Sequence, residues 1–155
     1  MQLFFAAPCP ACDELAGEYQ GQNHPAGIIS IPAGFFLDHF FGPGKWVGKA
    51  FRAAGATSGC GYNLFAQTGP DGRVNTRRAR KIATAIGSSV FDGGRSFLLD
   101  YGVHNRGAFS FVRDELRKVN SELFIGLGYL AIFGGTGFAS PFVIFGKPKD
   151  WVGCE

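Results

Sequence analysis

The sequence is poor in the residues that most often carry chemistry, with one Met, two Trp, three His and four Cys among its 155 residues. His24, His39 and His104 fall in no metal-ligand spacing and have no cysteine pair beside them, so no metal ligands are expected. Cys9, Cys12, Cys60 and Cys154 are too few and too scattered for a disulfide scaffold. Reduced thiols favour an intracellular or organellar interior over secretion, and no charged n-region leads into an apolar h-region as in a secretory signal. Charge is scarce as well. The 15 basic and 12 acidic residues leave a net +3, too weak a bias to point to nucleic acid. Arg77, Arg78, Arg80 and Lys81 do cluster, but without the interleaved aromatics on which bases would stack.

Glycine and phenylalanine are abundant, at 24 and 17 residues, in a chain that is 46% hydrophobic. Glycine at this level, without a G-X-Y period and with many aromatics, indicates neither collagen nor disorder. Short alternating runs of glycine and aromatics suit a small β-barrel or sandwich with tight turns. The length is that of one domain with a core of its own.

The longest apolar run begins Leu123-Phe-Ile-Gly-Leu-Gly-Tyr-Leu-Ala-Ile-Phe133 and stays uncharged to Gly146. A bilayer-spanning helix is long enough to use it, and a buried soluble helix would need amphipathic neighbours that the chain hardly offers. The spacing favours two strands. Leu123, Ile125, Leu127 and Tyr129 lie on one parity, and Phe124, Gly126, Gly128 and Leu130 on the other. Both faces are apolar, as in a strand covered on both sides. Gly134-Gly-Thr-Gly137 and Ser140-Pro141 mark the turn before Phe142-Val-Ile-Phe145 resumes.

Taken in order, the chain opens with Cys9-Pro-Ala-Cys12 after an apolar stretch, the spacing of a redox-active dithiol. It lacks the βαβ surroundings such a motif needs, so redox catalysis is weakly supported. Ser30 to Gly42 reads as one short aromatic-rich helix, capped by Ser30, with Pro32 in the first turn and Gly42-Pro43 as its stop. From Gly44 the pattern is an antiparallel meander. In Trp46 to Phe51, parity groups Trp46 with Gly48 and Ala50, and Val47 with Lys49 and Phe51. Strands are expected at 59–66, beyond the Gly69-Pro-Asp-Gly72 turn at 74–86, at 96–101, and at 109–119. Two of these, around Arg78–Ile86 and Asp114–Val119, also suit a helix by propensity. The expected fold is therefore mainly β, an antiparallel meander closing into a barrel over residues 44–155, with an N-terminal arm over 1–43 that carries the helix.

Gly17-Glu-Tyr19, Gly44-Lys-Trp46-Val-Gly48, Glu115-Leu-Arg-Lys-Val119 and Leu123-Phe-Ile-Gly-Leu-Gly128 together resemble lipocalin-like (calycin) domains. The resemblance implies a lipocalin-like β-barrel in which a Gly-x-Trp element closes one end. It also implies a late cation over that Trp, here Lys147 over Trp46. The Thr-Asp-Tyr signature of secreted lipocalins is absent, and Asp100-Tyr101 does not replace it.

Such a barrel can hold one small apolar molecule, with no other cofactor expected. The surplus of aromatics makes non-enzymatic binding of a small hydrophobic ligand the leading expectation. Trp46, Phe51, Tyr62, Phe65, Tyr101 and Tyr129 are its candidate lining, and Arg80 and Arg113 its candidate polar anchors. Arg78 is a further anchor candidate if it points inward. A second reading is an accessory subunit of a larger assembly, with membrane association possible but no confident transmembrane helix. It would meet a protein partner through Phe35, Phe36, Phe40 and Phe41. A third is an enzyme. It has little support, because Asp38-His39, Asp100 with His104, and Ser88-Ser89 assign no catalytic role.

Overall fold

The structure, a computed structural model, describes residues 1–24, 42–132 and 135–154. Eight antiparallel strands follow one another around a closed barrel. They are β1 (Gly17–Asn23), β2 (Lys45–Ala53), β3 (Ser58–Thr68), β4 (Val74–Ser88), β5 (Arg95–Asp100), β6 (Val112–Asn120), β7 (Leu123–Leu130) and β8 (Gly135–Lys149). Each pairs with the next, and β8 closes onto β1 through pairs such as Gly21 with Ile144. Closure leaves no unpaired edge. The barrel takes in Gly17–Asn23, upstream of the segment expected to form it.

The long apolar run is the β7–β8 hairpin, as its parity indicates. Ser140-Pro141, expected in the turn, instead lies inside β8. Pro141 pairs with Leu127, and its carbonyl accepts the His24 N–H at 3.0 Å. The two ambiguous segments, β4 and the C-terminal part of β6, are strands. Alternate burial of Asp114 and Leu116 inside the barrel overrides local helix propensity. The helix expected at 30–42 lies outside the described residues, apart from Gly42, and Phe35, Phe36, Phe40 and Phe41 lie there with it. A short helix, α1, is present at Gln2–Ala6. No helix among the described residues is long and apolar enough to cross a membrane.

The interior is filled by rings, and glycine makes the room. A side chain begun at Gly21 would lie 2.4 Å from the Trp46 indole, and one begun at Gly126 would lie 2.2 Å from the Phe142 ring. Glycine is thus required at strand positions where it would otherwise weaken pairing. At one end, the interior is closed by Phe51, Phe97, Leu116 and Phe124, with Leu15 of the 3-10 turn Asp13–Leu15 and the neighbouring Cys12 in the same cluster. The Lys118 N–H donates to the Pro8 carbonyl at 2.8 Å, and the Lys118 ammonium pairs with Glu14.

Both termini dress the outside. Arg117 on the outer parity of β6 donates to the Ala7 carbonyl at 3.2 Å, pairs with Asp92 at 2.9 Å and lies 5.0 Å from the Phe4 ring. It thereby holds α1 against the barrel. On another side Trp151 packs tilted against Tyr62, ring centres 4.5 Å apart, and the Tyr62 hydroxyl oxygen accepts the Val152 and Gly153 N–H groups.

Gly126→Ala is expected to destabilise the protein by about 1–3 kcal/mol through overpacking. In a Phe142→Ala background the same change should cost far less. Urea unfolding of the four proteins checks this, and equal penalties in both backgrounds would contradict the packing described.

Candidate functional site

At the barrel end opposite the 3-10 turn, side chains from four strands and from Tyr101, just past β5, converge on one buried ammonium. Lys49 from β2 donates to Asp114 Oδ2 at 2.7 Å, to Asn63 Oδ1 at 2.9 Å and to the Tyr101 hydroxyl oxygen. Tyr101 donates to Asp114 Oδ2 at 3.0 Å, and Trp46 Nε1 donates to Asn63 Oδ1 at 2.9 Å. The Lys49 Nζ also sits 5.0 Å from the Phe142 ring centre and 5.4 Å from that of Trp46. The ammonium therefore has three polar partners and aromatic walls, the arrangement a buried charge needs to be tolerated.

Two bulges assemble this set. One extra residue in β2 between Trp46 and Gly48 lets Trp46 and Lys49 both point inward while Val47 and Ala50 face out. Simple parity assigned Trp46 and Lys49 to opposite faces. The second bulge lies in β4, where Gly61 pairs with Ile82 but Asn63 with Ala79. Arg80 there adopts φ 61°, a left-handed conformation unusual outside glycine. Its carbonyl accepts from Asn63 Nδ2 at 3.5 Å, and the next one, of Lys81, accepts from Asn105 at 2.8 Å. The bulge explains why Arg78 turns outward although it shares parity with the interior Ile82.

Burial is the leading influence on both central groups. It lowers the Lys49 ammonium below its ordinary range, opposed by the Asp114 carboxylate. It raises the Tyr101 phenol well above its ordinary range, and the negative charge of Asp114 adds to the rise. Tyr101 thus stays a neutral hydroxyl through the physiological range.

The expected site residues divide. Trp46, Phe65 and Tyr101 belong to this end of the interior, and Phe51 faces inward at the other end, 5.5 Å from Phe97. Arg80 stacks its guanidinium 3.8 Å over Phe109, on the loop that follows Tyr101. Tyr62 is not lining but outer surface, hydrogen-bonded to Glu18 at 2.7 Å beneath the C-terminal tail. Arg78 pairs with the same Glu18 at 2.6 Å. Arg113 also faces out, bonded to Asp100 at 3.1 Å and to the Ser110 carbonyl at 2.8 Å. Tyr129 lies on the outer parity of β7, 5.3 Å from Phe91, where burial pushes its phenol up to about 12.

Lys147 is exposed, and the cation against Trp46 is Lys49 from the same strand. Lys49, Asn63 and Asp114 were missed. The one available signal was a lysine inside the otherwise apolar Trp46–Phe51 run. Cys9 and Cys12 belong to the arm, and burial raises both thiols, the direction opposite to activation. No three His, Cys, Asp or Glu side chains among the described residues come together as metal ligands.

Fold and site together define the protein as a closed eight-stranded antiparallel barrel with a buried polar cluster at one end. No protein-family model matches the chain, and no curated protein does. Among solved structures it is similar to a crystal structure of a protein from Thermomonospora curvata, with a TM-score of 0.59 and 15% identity. The match covers 94% of this chain and 84% of that one. At that identity the likeness is one of fold.

The pKa directions set the alkaline behaviour. Below pH 10, the ordinary tyrosine value, Tyr101 is neutral in both folded and unfolded chains. Above it the unfolded chain releases a proton that the folded chain keeps, so stability falls as pH rises. Lys49 acts oppositely below 10.5, where the folded state loses its proton first. Tyr101→Phe should therefore remove up to about 1.4 kcal/mol per pH unit of the decline above pH 10. Urea unfolding across pH 9–11 measures the two slopes, and identical slopes would contradict a buried, protonated Tyr101.

Proposed function

We propose that this barrel is a non-enzymatic binding protein for a small molecule with an apolar, ring-like body and one polar atom. The observation that carries the reading is the convergence of Lys49, Asn63, Tyr101 and Asp114 inside an aromatic wall. A few placed polar groups in an apolar concavity are the usual make-up of a small-molecule site. At this end Trp46, Phe142 and Asp114 keep 5–6% exposure, while Tyr101, Phe65 and Asn63 keep none. An eight-stranded barrel is wide enough to hold one small ligand. The up-and-down strand order also supports kinship with lipocalin-like barrels, the family its Gly-x-aromatic elements resemble.

In this reading Trp46, Phe65 and Phe142 receive the body of the ligand, and Lys49, Tyr101 and Asp114 meet its polar atom. The lining role proposed for Tyr62 and Tyr129 from their aromatic character is dropped, since both face outward.

The test uses Trp151→Phe protein, in which Trp46 is the single indole reporter. Naphthol, an aromatic body with one hydroxyl, should change Trp46 emission saturably. Phe142→Ala should weaken the response about tenfold, equivalent to about 1.4 kcal/mol. Tyr129→Phe, on the outer face, should leave it unchanged. Native mass spectrometry of protein taken gently from its source should show a small added mass lost on organic extraction. A bare protein mass together with no saturable naphthol response would overturn the proposal.

A further inference from the structure

We propose that Lys49 captures a small apolar aldehyde or ketone covalently, as an imine at Nζ, with Asp114 and Tyr101 handling the protons. This rests on the binding reading of the same site and specifies the ligand's polar atom as a carbonyl oxygen.

The first ground is that the cluster is not needed to close the barrel. The opposite end is closed by Phe51, Phe97, Leu116 and Phe124 without any charge. A well-packed apolar set of the same volume is often as stable as a buried ion pair, or more so. A lysine held among Trp46, Tyr101 and Phe142 therefore calls for a chemical use. The second ground is geometry. Imine formation needs an amine, a base to free its lone pair, an acid to expel the hydroxyl, and little water to reverse the reaction. Lys49 Nζ has Asp114 Oδ2 at 2.7 Å, and Tyr101 bonds to both of them. Lys49 and Asp114 are nearly buried, at 3% and 5% exposure, and Lys49 Nζ lies 5.4 Å and 5.0 Å from the ring centres of Trp46 and Phe142. Desolvation also favours the unprotonated amine, the form that attacks.

The step balances without an oxidant or reductant. The ammonium passes one proton to the Asp114 carboxylate, and the freed lone pair forms the bond to the carbonyl carbon. A second proton moves from nitrogen to the former carbonyl oxygen along the Tyr101 hydroxyl, giving a carbinolamine. Protonated Asp114 then returns its proton to the departing hydroxyl, the C–O bond breaks, and water leaves. The product is an iminium whose positive charge replaces that of the ammonium beside the Asp114 carboxylate. The buried site keeps the same net charge throughout, so no new desolvation penalty arises from forming the adduct.

The experiment incubates the full chain at neutral pH with benzaldehyde or naphthaldehyde and cyanoborohydride, followed by intact mass and peptide mapping. One reduced adduct should form at Lys49, at least about tenfold faster than at the exposed Lys45, Lys147 and Lys149. Naphthol should compete with it. Asp114→Asn should slow labelling by about tenfold or more, as loss of a general acid–base group does. Circular dichroism confirms that this variant, and Lys49→Arg, which should show no adduct, keep the fold. If naphthol binds at Trp46 but labelling is spread over exposed lysines and spares Lys49, the imine proposal is overturned and the binding proposal stands. If Lys49 takes no adduct, naphthol leaves Trp46 emission of the Trp151→Phe protein unchanged and the native protein shows a bare mass, both fall.

Discussion

The pairing of β8 with β1 is the constraint on which the rest of this structure depends. Once Gly21 lies against Ile144 and Asn23 against Phe142, eight strands enclose a space into which their inward side chains point. Phenylalanine, tyrosine and tryptophan fill it, and their bulk obliges neighbouring strands to give way. Gly21 and Gly126 face the rings of Trp46 and Phe142 at distances no side chain could share. At these positions glycine and aromatic side chains depend on one another. The rings occupy the volume that the glycines release.

Closure also explains why the two ends of the interior differ. The end near the chain's start is sealed from outside by the 3-10 turn Asp13–Leu15, whose Leu15 is fully buried. Packing there is apolar and complete. The other end receives the bulged parts of β2 and β4, and bulges re-aim side chains while leaving carbonyls to be satisfied. Asn63 answers the Arg80 carbonyl from within the barrel and Asn105 answers the Lys81 carbonyl from the adjoining loop. The same β2 bulge turns Lys49 inward beside Trp46. A charged amine in that position is stable only because Asp114 of β6, Asn63 of β3 and Tyr101 just past β5 arrive at hydrogen-bonding distance. At β2 the bulge and the buried charge occur together, while the register also shifts toward the apolar end, between Glu18 and Gln20 and between Lys118 and Asn120.

The outer face is less uniform than a solvated barrel would be. Arg117 ties α1 to the wall, and Tyr62 anchors the C-terminal tail through its hydroxyl oxygen. Two of the aromatics that suggested a ligand, Tyr62 and Tyr129, are occupied in this way. Aromatic character alone does not distinguish a lining residue from one that seats a terminal segment, because both bury the same kind of surface.

What the sequence determined by itself was the strand content, the turn at Gly69–Gly72 and the class of fold. These follow from local chemistry: the apolar residues on both parities of Leu123 to Leu130, the Gly69-Pro-Asp-Gly72 turn, and the glycine–aromatic alternation that suits a barrel. What only the tertiary structure decided was which residues meet inside. A bulge adds one residue and inverts every later side chain in its strand, so parity counted across β2 or β4 assigns the wrong face. Lys49, Asn63, Tyr101 and Asp114 are separated by 13 to 65 residues, and no local spacing joins them. They come together only because closure of the barrel brings β2, β3, β6 and the end of β5 around a common centre.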